Sequence, residues 1–201
     1  MSASPSQKNN PPAREKILFA AFDLFHEKGI QATSVDDILK HSGTGKSQFY
    51  HYFKSKEGIV HSLLQQMHQR LKTDTTINPD IESWSDLERW LRTPGEMQES
   101  CSCQRGCPIG TIAANLAPKD ELIRQDIQLI FETMKIKPKV FFATQKAQRK
   151  LRKETDPDSL ATFCVSLIQG TALLSKVERS TTPFNSGIDH ALIYLKSFKI
   201  D

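Results

Sequence analysis

No long apolar run occurs in this chain of 201 residues. The opening stretch, MSASPSQKNNPP, has none, and no later segment approaches the roughly 20 apolar residues of a membrane-spanning helix. These absences argue against a secretory leader or a membrane anchor and set the expectation of a cytoplasmic protein with no membrane partner. Cysteine is scarce: Cys101, Cys103, Cys107 and Cys164 are the full set, and in a reducing compartment standing disulfides are not expected of them. Excess charge is also lacking, with 27 Lys and Arg against 23 Asp and Glu for a formal net charge of +4, so the placement of charges matters more than their sum. Internal repeats, sustained strand-like alternation, Ser-His-Asp sets, carboxylate pairs and metal-ligand motifs are missing as well. The expectation is therefore an all-α protein that is not an enzyme and needs no cofactor or metal.

What is present is helical periodicity. Residues 1–11, rich in Ser, Pro, Asn and Gln, read as a flexible arm because they offer too little apolar surface to offset ordering. From Pro12, the apolar positions Ile17, Ala20, Ala21, Leu24 and Phe25 form one helical stripe that Gly29 can end, with Ile30 as an apolar staple. Thr33, three residues before Asp36, reads as the N-cap of a short second helix with Val35, Ile38 and Leu39 inside. After the break HSGTG a third helix, KSQFYHYF, follows, and Ser55 opens a fourth through Ile59, Leu63, Leu64 and Met67. Ser85 to Glu88 resembles a capping box ahead of Leu87, Trp90 and Leu91, and a short helix starts at Pro108. The stretch after Lys119 reads as one long helix kinked at Pro138 or as two helices meeting there. Two more helices are expected, about Asp158 to Val177 and Phe184 to Phe198. The first places Leu160, Phe163, Cys164, Leu167, Ile168, Thr171 and Leu174 on one face, with Val165, Ala172 and Leu173 beside it.

The segment SGTGKSQFYHYF poses a specific question, because its first residues look like the end of a nucleotide phosphate loop. That loop needs a glycine five positions before Gly45 and a buried strand ahead of it. Lys40 occupies the glycine position, and the preceding SVDDILKH is helical in pattern. Helix, tight turn and helix fit a helix-turn-helix instead, in which the second helix enters the DNA major groove. Between Leu39 and Lys56 there is no Asp or Glu, while Lys40, Lys46, Lys54 and Lys56 are present beside His41 and His51. Such a stretch suits a polyanion, and it equally suits a solvated helical hairpin carrying lysines.

From Arg14 to Leu64, and above all in TSVDDILKHSGTGKSQFYHYFKSKEGIV, the chain closely resembles the N-terminal DNA-binding domain of the tetracycline-repressor (TetR) family of bacterial transcriptional regulators. The matching residues are Thr33 ahead of Val35 and Ile38, Gly43 in the turn, Lys46, the run Phe49 to Phe53, then Lys54, Lys56 and Glu57. It departs from the commonest pattern at Thr44, where an aliphatic residue is usual, at Gly45, where serine often caps, and at Ser47, where glycine is frequent. The resemblance implies a three-helix DNA-binding domain over residues 12–56, followed over 57–201 by a larger helical domain for effector binding and dimerisation. It further implies a dimeric repressor that holds a roughly palindromic operator in double-stranded DNA and releases it when a small-molecule effector binds.

Carried over by position, the resemblance implies phosphate contacts from Thr33, Ser34 and Lys56 and a groove-facing set of Thr44, Gly45, Lys46, Ser47, Gln48, Tyr50 and His51. Gln48 is the candidate for direct reading, because its amide pairs bidentately with adenine. Phe49 and Phe53 fall on the side of Ile38 and Leu24 and read as core. The last two long helices would pair two copies, with Gly170 permitting close approach. Trp84, Trp90, Met97, Cys107, Ile109, Ile112, Phe131, Met134, Phe141 and Phe142 would line an effector pocket, and the same residues read also as ordinary core. CSCQRGCPIG supports an alternative, a thiol-based redox or electrophile-responsive protein using Cys101, Cys103 and Cys107. Cys107, just before a helix start, is the thiol expected to have a lowered pKa. The acid-free basic run from Lys135 to Lys153 reads as a solvated face that adds long-range attraction to DNA.

Overall fold

A computed structural model describes residues 11–117 and 120–200. Residues 1–10, most of the expected flexible arm, lie outside the described residues. The described residues form nine helices, with an isolated antiparallel bridge between Leu151 and Lys199 and no strand. The chain divides into two compact units, Met1–Leu63 and Leu64–Asp201. The division falls inside a helix, later than the expected 56/57 boundary.

In the first unit, α1 (Ala13–Lys28) starts after Pro12 and ends at Gly29, and it buries Ile17, Leu18, Ala20, Ala21, Leu24 and Phe25. The stripe read from sequence is the stripe that packs, against α2 (Val35–Ser42) and α3 (Lys46–Tyr52). Ile38, Phe49 and Phe53 close this small core at 0%, 0% and 4% exposure. α4 (Lys56–Thr73) follows, with Ile59, Val60, Leu63 and Leu64 buried.

The second unit contains α5 (Trp84–Ser100), α6 (Pro108–Ala113), α7 (Glu121–Ala147), α8 (Pro157–Glu178) and α9 (Thr182–Lys196). α7 packs on α8, α8 on α9, and α5 on both of the last two. Their shared core includes Leu87, Leu91, Phe142, Cys164, Ile168 and Phe184. α7 is one helix that runs through Pro138 rather than two. The cap of α5 is Ser83 with Asp86, two residues before the expected Ser85 and Glu88: Ser83 Oγ accepts from Asp86 N–H at 3.1 Å, and Asp86 Oδ2 accepts from Ser83 N–H at 2.9 Å.

α8 corrects one expectation and sharpens another. Its mean hydropathy of 1.5 over an 18-residue window makes it long and apolar enough to cross a membrane by length and composition, because its small polar residues weigh little. Its buried face is Leu160, Ala161, Cys164, Val165, Ile168, Thr171, Ala172 and Ser175, whereas Leu173 and Leu174 point outward at 62% and 52% exposure. α5, α7 and α9 together select a face rotated from the one that apolar spacing alone favours.

Candidate DNA-binding site

The turn between α2 and α3 is built from short polar residues. Gly43 takes a left-handed backbone (φ 65°, ψ 30°) and returns its N–H to Leu39 O, the ordinary glycine ending of a helix. Thr44 N–H also reaches Leu39 O at 3.2 Å, and the Ser42 and Thr44 hydroxyls lie 2.7 Å apart. Thr44 is thus partly buried, with its hydroxyl engaged in the turn. Gly45 then enters α3 in an extended conformation, and Gln48 Oε1 accepts its N–H at 3.2 Å. Glycine has no side chain to cap with, so Gln48 supplies the side-chain partner at this end. Its Nε2 hydrogens and its second Oε1 lone pair are left for other partners.

Lys46, Ser47, Gln48, Tyr50 and His51 are all exposed on the outer side of α3, Tyr50 at 52%. Phe49 and Phe53 seal the inner side, their rings 5.7 Å apart. Seven helical residues therefore present two faces, one packed and apolar, one polar and free of carboxylates. Lys46 is held in part from within the chain: its Nζ lies 3.2 Å from Asp36 Oδ1, with both side chains about three-quarters exposed.

The start of α2 differs from the sequence reading. Ser34 is the N-cap, not Thr33, and the reciprocal partner is Asp37, not Asp36. Ser34 Oγ accepts from Asp37 N–H at 3.1 Å, while Asp37 Oδ2 accepts from Ser34 N–H at 2.9 Å and from Ser34 O–H at 2.8 Å. The backbone bond, then the hydroxyl bond from Ser34, hold the Asp37 carboxyl below its ordinary pKa. Thr33 is only 1% exposed, and its hydroxyl donates to Gly29 O at 2.8 Å. The Thr33 hydroxyl thus closes the end of α1 from inside, while the expectation places it at a phosphate. Ser34 stays exposed at the helix start.

Lys56 is partly buried, and its Nζ donates to Ile30 O at 3.0 Å and Thr33 O at 3.3 Å. Two of its three N–H groups thus pin the loop that delivers Ser34, leaving one for an outside partner. Sequence reasoning missed this role because the two carbonyls lie more than twenty residues away. It also missed Gly58, where a Cβ would collide with Phe53 O, so the first turn of α4 crosses the end of α3 only with glycine there.

In the second unit, the residues proposed for a pocket take different positions. Trp90 and Phe142 belong to the packed core, Phe131 and Met134 lie against it half-buried, and Ile112 is buried. Trp90 Nε1 donates to Asn78 Oδ1 at 2.8 Å, while Met97 is 45% exposed. A depression of about 290 Å³ opens elsewhere, at Leu116, Ala117, Asp120, Glu121 and Arg124.

All four thiols are free. Cys107 caps α6, its Sγ accepting from Gly110 N–H at 3.4 Å, yet burial outweighs that bond and pushes the thiol pKa up. Burial also raises Cys103, and Cys164 is driven to about 12. The expected lowering at Cys107 is therefore reversed: burial outweighs the hydrogen bonds from the Gly110 backbone, the Gln169 side chain and the Ile109 backbone. Among the described residues no group of His, Cys, Asp or Glu could hold a metal ion. In the basic run, Lys135, Lys137 and Lys139 are paired with Glu132, Asp80 and Asp158, while Arg149, Lys150, Arg152 and Lys153 are exposed.

A helix-turn-helix whose second helix shows an acid-free polar face, followed by a larger all-helical unit, defines the class: a helix-turn-helix protein of the DNA-binding type. A family profile described as bacterial regulatory proteins, tetR family, matches residues 17–63, and one described as transcriptional regulator LmrA/YxaF-like, C-terminal domain, matches residues 85–190. The chain belongs to the tetR family of DNA-binding transcriptional regulators. A similar relative is the HTH-type transcriptional repressor DhaR of Mycobacterium sp. (strain GP1), 28% identical over 176 residues and 87% of each chain. Regulatory protein TetR from Rhodobacter sphaeroides shares the fold with a TM-score of 0.78 at 24% identity, covering 90% of this chain and 98% of its own. A cysteine mutant of the TetR-family regulator CifR, complexed with 26 bp double-strand operator DNA, does so with a TM-score of 0.74 at 20% identity, covering 94% and 98%.

Proposed function

We propose that this protein is a homodimeric, cytoplasmic repressor that reads a roughly palindromic operator through α3 and leaves it when a small-molecule effector binds the second unit. The observation that carries the reading is the outer face of α3, where Lys46, Ser47, Gln48, Tyr50 and His51 stand exposed over a sealed Phe49 and Phe53. Ser34 and the free N–H groups at the start of α2 suit phosphate oxygens, and the third Lys56 N–H is available to another. Thr44 and Gly45 set the approach of the backbone, and Gln48 reads a base. The structure of CifR on operator DNA supports the general mode for a protein of this fold.

Dimerisation is supported by the outer sides of the last two helices. Leu173, Leu174 and Val177 on α8 and Ile193 and Tyr194 on α9 are between 47% and 72% exposed, an apolar surface of the sort that marks an interface. Gly170 is exposed among them with no neighbouring atom within 4 Å of its Cβ position. Two copies joined by a two-fold axis would present recognition helices about one DNA turn, roughly 34 Å, apart.

The test is binding to genomic fragments that the purified protein retains, measured by fluorescence anisotropy across salt concentrations. A steep fall of affinity with salt is expected. Gln48→Ala is expected to lose about 1–3 kcal/mol of discrimination at a single base pair. Unchanged selectivity in that variant would remove Gln48 from base reading.

A further inference from the structure

We propose that Asp36 is an internal competitor for DNA phosphate, holding Lys46 in the free protein and so setting the affinity and salt dependence of binding. This rests on the reading of α3 as the DNA-facing helix. α2 begins with two adjacent carboxylates that do different work. Asp37 is committed to the capping box with Ser34 and faces its own backbone. Asp36 forms no part of that box; its Oδ1 reaches across the turn to Lys46 Nζ at 3.2 Å.

Three features make this pair more than an incidental surface contact. Lys46 is the first residue of α3, where a cation opposes the helix dipole, so a nearby carboxylate relieves it. No other carboxylate follows in the sequence until Glu57, and of the two acids that open α2 Asp37 is already occupied, which leaves Asp36 to meet Lys46. Both partners are highly exposed, 74% for Asp36 and 70% for Lys46, so the pair opens without unpacking anything. A DNA phosphate arriving at Lys46 must then displace a carboxylate rather than water. Binding therefore gains less from Lys46 than from an unpaired lysine, and fewer counterions are released per contact.

The experiment compares the full-length protein with Asp36→Asn, using a random-sequence duplex and anisotropy over a range of salt. Asp36→Asn is expected to bind about two- to fivefold more tightly at low salt, the scale of one exposed ion pair. Its log–log salt slope is expected to steepen by up to about 0.9, the full value of one phosphate, because no carboxylate then holds Lys46 back from it for part of the time. Asp36→Ser, which keeps a residue favoured at helix starts, is expected to behave alike, and far-ultraviolet circular dichroism checks that both variants are folded. In a Lys46→Met background the gain is expected to disappear. Equal affinity and slope in Asp36→Asn and wild type overturn the proposal. So does a gain that persists undiminished without Lys46, since Asp36 would then act by direct repulsion of DNA. Failure of the wild type and of every variant to hold any duplex at low salt would instead sink the assignment of α3 to DNA.

Discussion

At the scale of single residues, hydroxyls and amines that look alike in sequence do unlike things. Thr33 and Ser34 are adjacent small hydroxyls, each with an aspartate three positions on, and the two N-cap patterns overlap by one residue. The structure turns Thr33 inward to Gly29 O and leaves Ser34 on the surface as the cap. Thr33→Val keeps the shape and removes one buried hydrogen bond, so it is expected to lower stability by about 1 kcal/mol. Its affinity for DNA is expected to match that of the wild type; a loss of affinity shared by all sequences, with the salt slope unchanged because threonine is neutral, would return Thr33 to the phosphate contacts. Lys56, by contrast, pins the loop ahead of α2 through Ile30 O and Thr33 O, a structural task its place among the lysines does not announce. The cysteines follow the same logic of surroundings over type, since burial raises Cys103, and raises Cys107 too, where a place just before a helix start suggested activation.

At the scale of elements, the helix-turn-helix depends on its junctions more than on its helices. Gly58 is the sharpest case, because any side chain there meets Phe53 O at the end of α3. Gly58→Ala is expected to cost about 1–3 kcal/mol by forcing α4 away from α3, read as a lower denaturant midpoint. An unchanged midpoint would mean that the junction yields at no cost. The capping boxes make a second prediction. Ser34 holds Asp37 below the ordinary carboxylate value of 3.8, by backbone and hydroxyl bonds, and Ser83 does the same for Asp86, chiefly through its hydroxyl. A carboxyl depressed in the folded state contributes stability that is present above its unfolded value and is lost as pH falls through the folded one. Melting temperature is thus expected to fall on acidification below about pH 4, and Asp37→Asn to show a smaller fall than wild type. Identical acid profiles would show that this cap carries no linkage. Helix content and the inner faces of α1 and α3 were legible beforehand, because spacing near 3.6 residues fixes which side chains share a face. Cap registers were not, because two adjacent matches satisfy the same local pattern.

For the whole molecule, the outward residues of α8 and α9 carry the prediction. Val177 is 72% exposed and Leu173 62%, so charge there leaves the core of the second unit undisturbed. The double variant Leu173→Glu, Val177→Glu is expected to sediment as a monomer, to keep its helical circular dichroism, and to bind operator fragments at least tenfold more weakly, since one half-site contact remains of two. A dimer that survives both substitutions would move the interface off this face. Sequence spacing put Leu174 on the same face as Leu160 and Cys164 with Leu173 beside it, without separating the inward side from the outward one, and there is a plain cause. α8 is apolar around most of its circumference, so periodicity cannot choose a side; its three neighbours choose it.

By itself, the sequence determined an all-α chain, the position of the tight turn at Gly43, an acid-free stretch from Leu39 to Lys56, and membership of a family through a run of some fifty residues. These are local properties, written in periodicity, glycine placement and the order of charges. Tertiary structure decided which hydroxyl is buried, which amine holds a loop, which side of α8 faces outward, and that Asp36 lies beside Lys46. Each of those depends on where the backbone travels between contacts distant in sequence. Packing settles that path, and no local pattern encodes it.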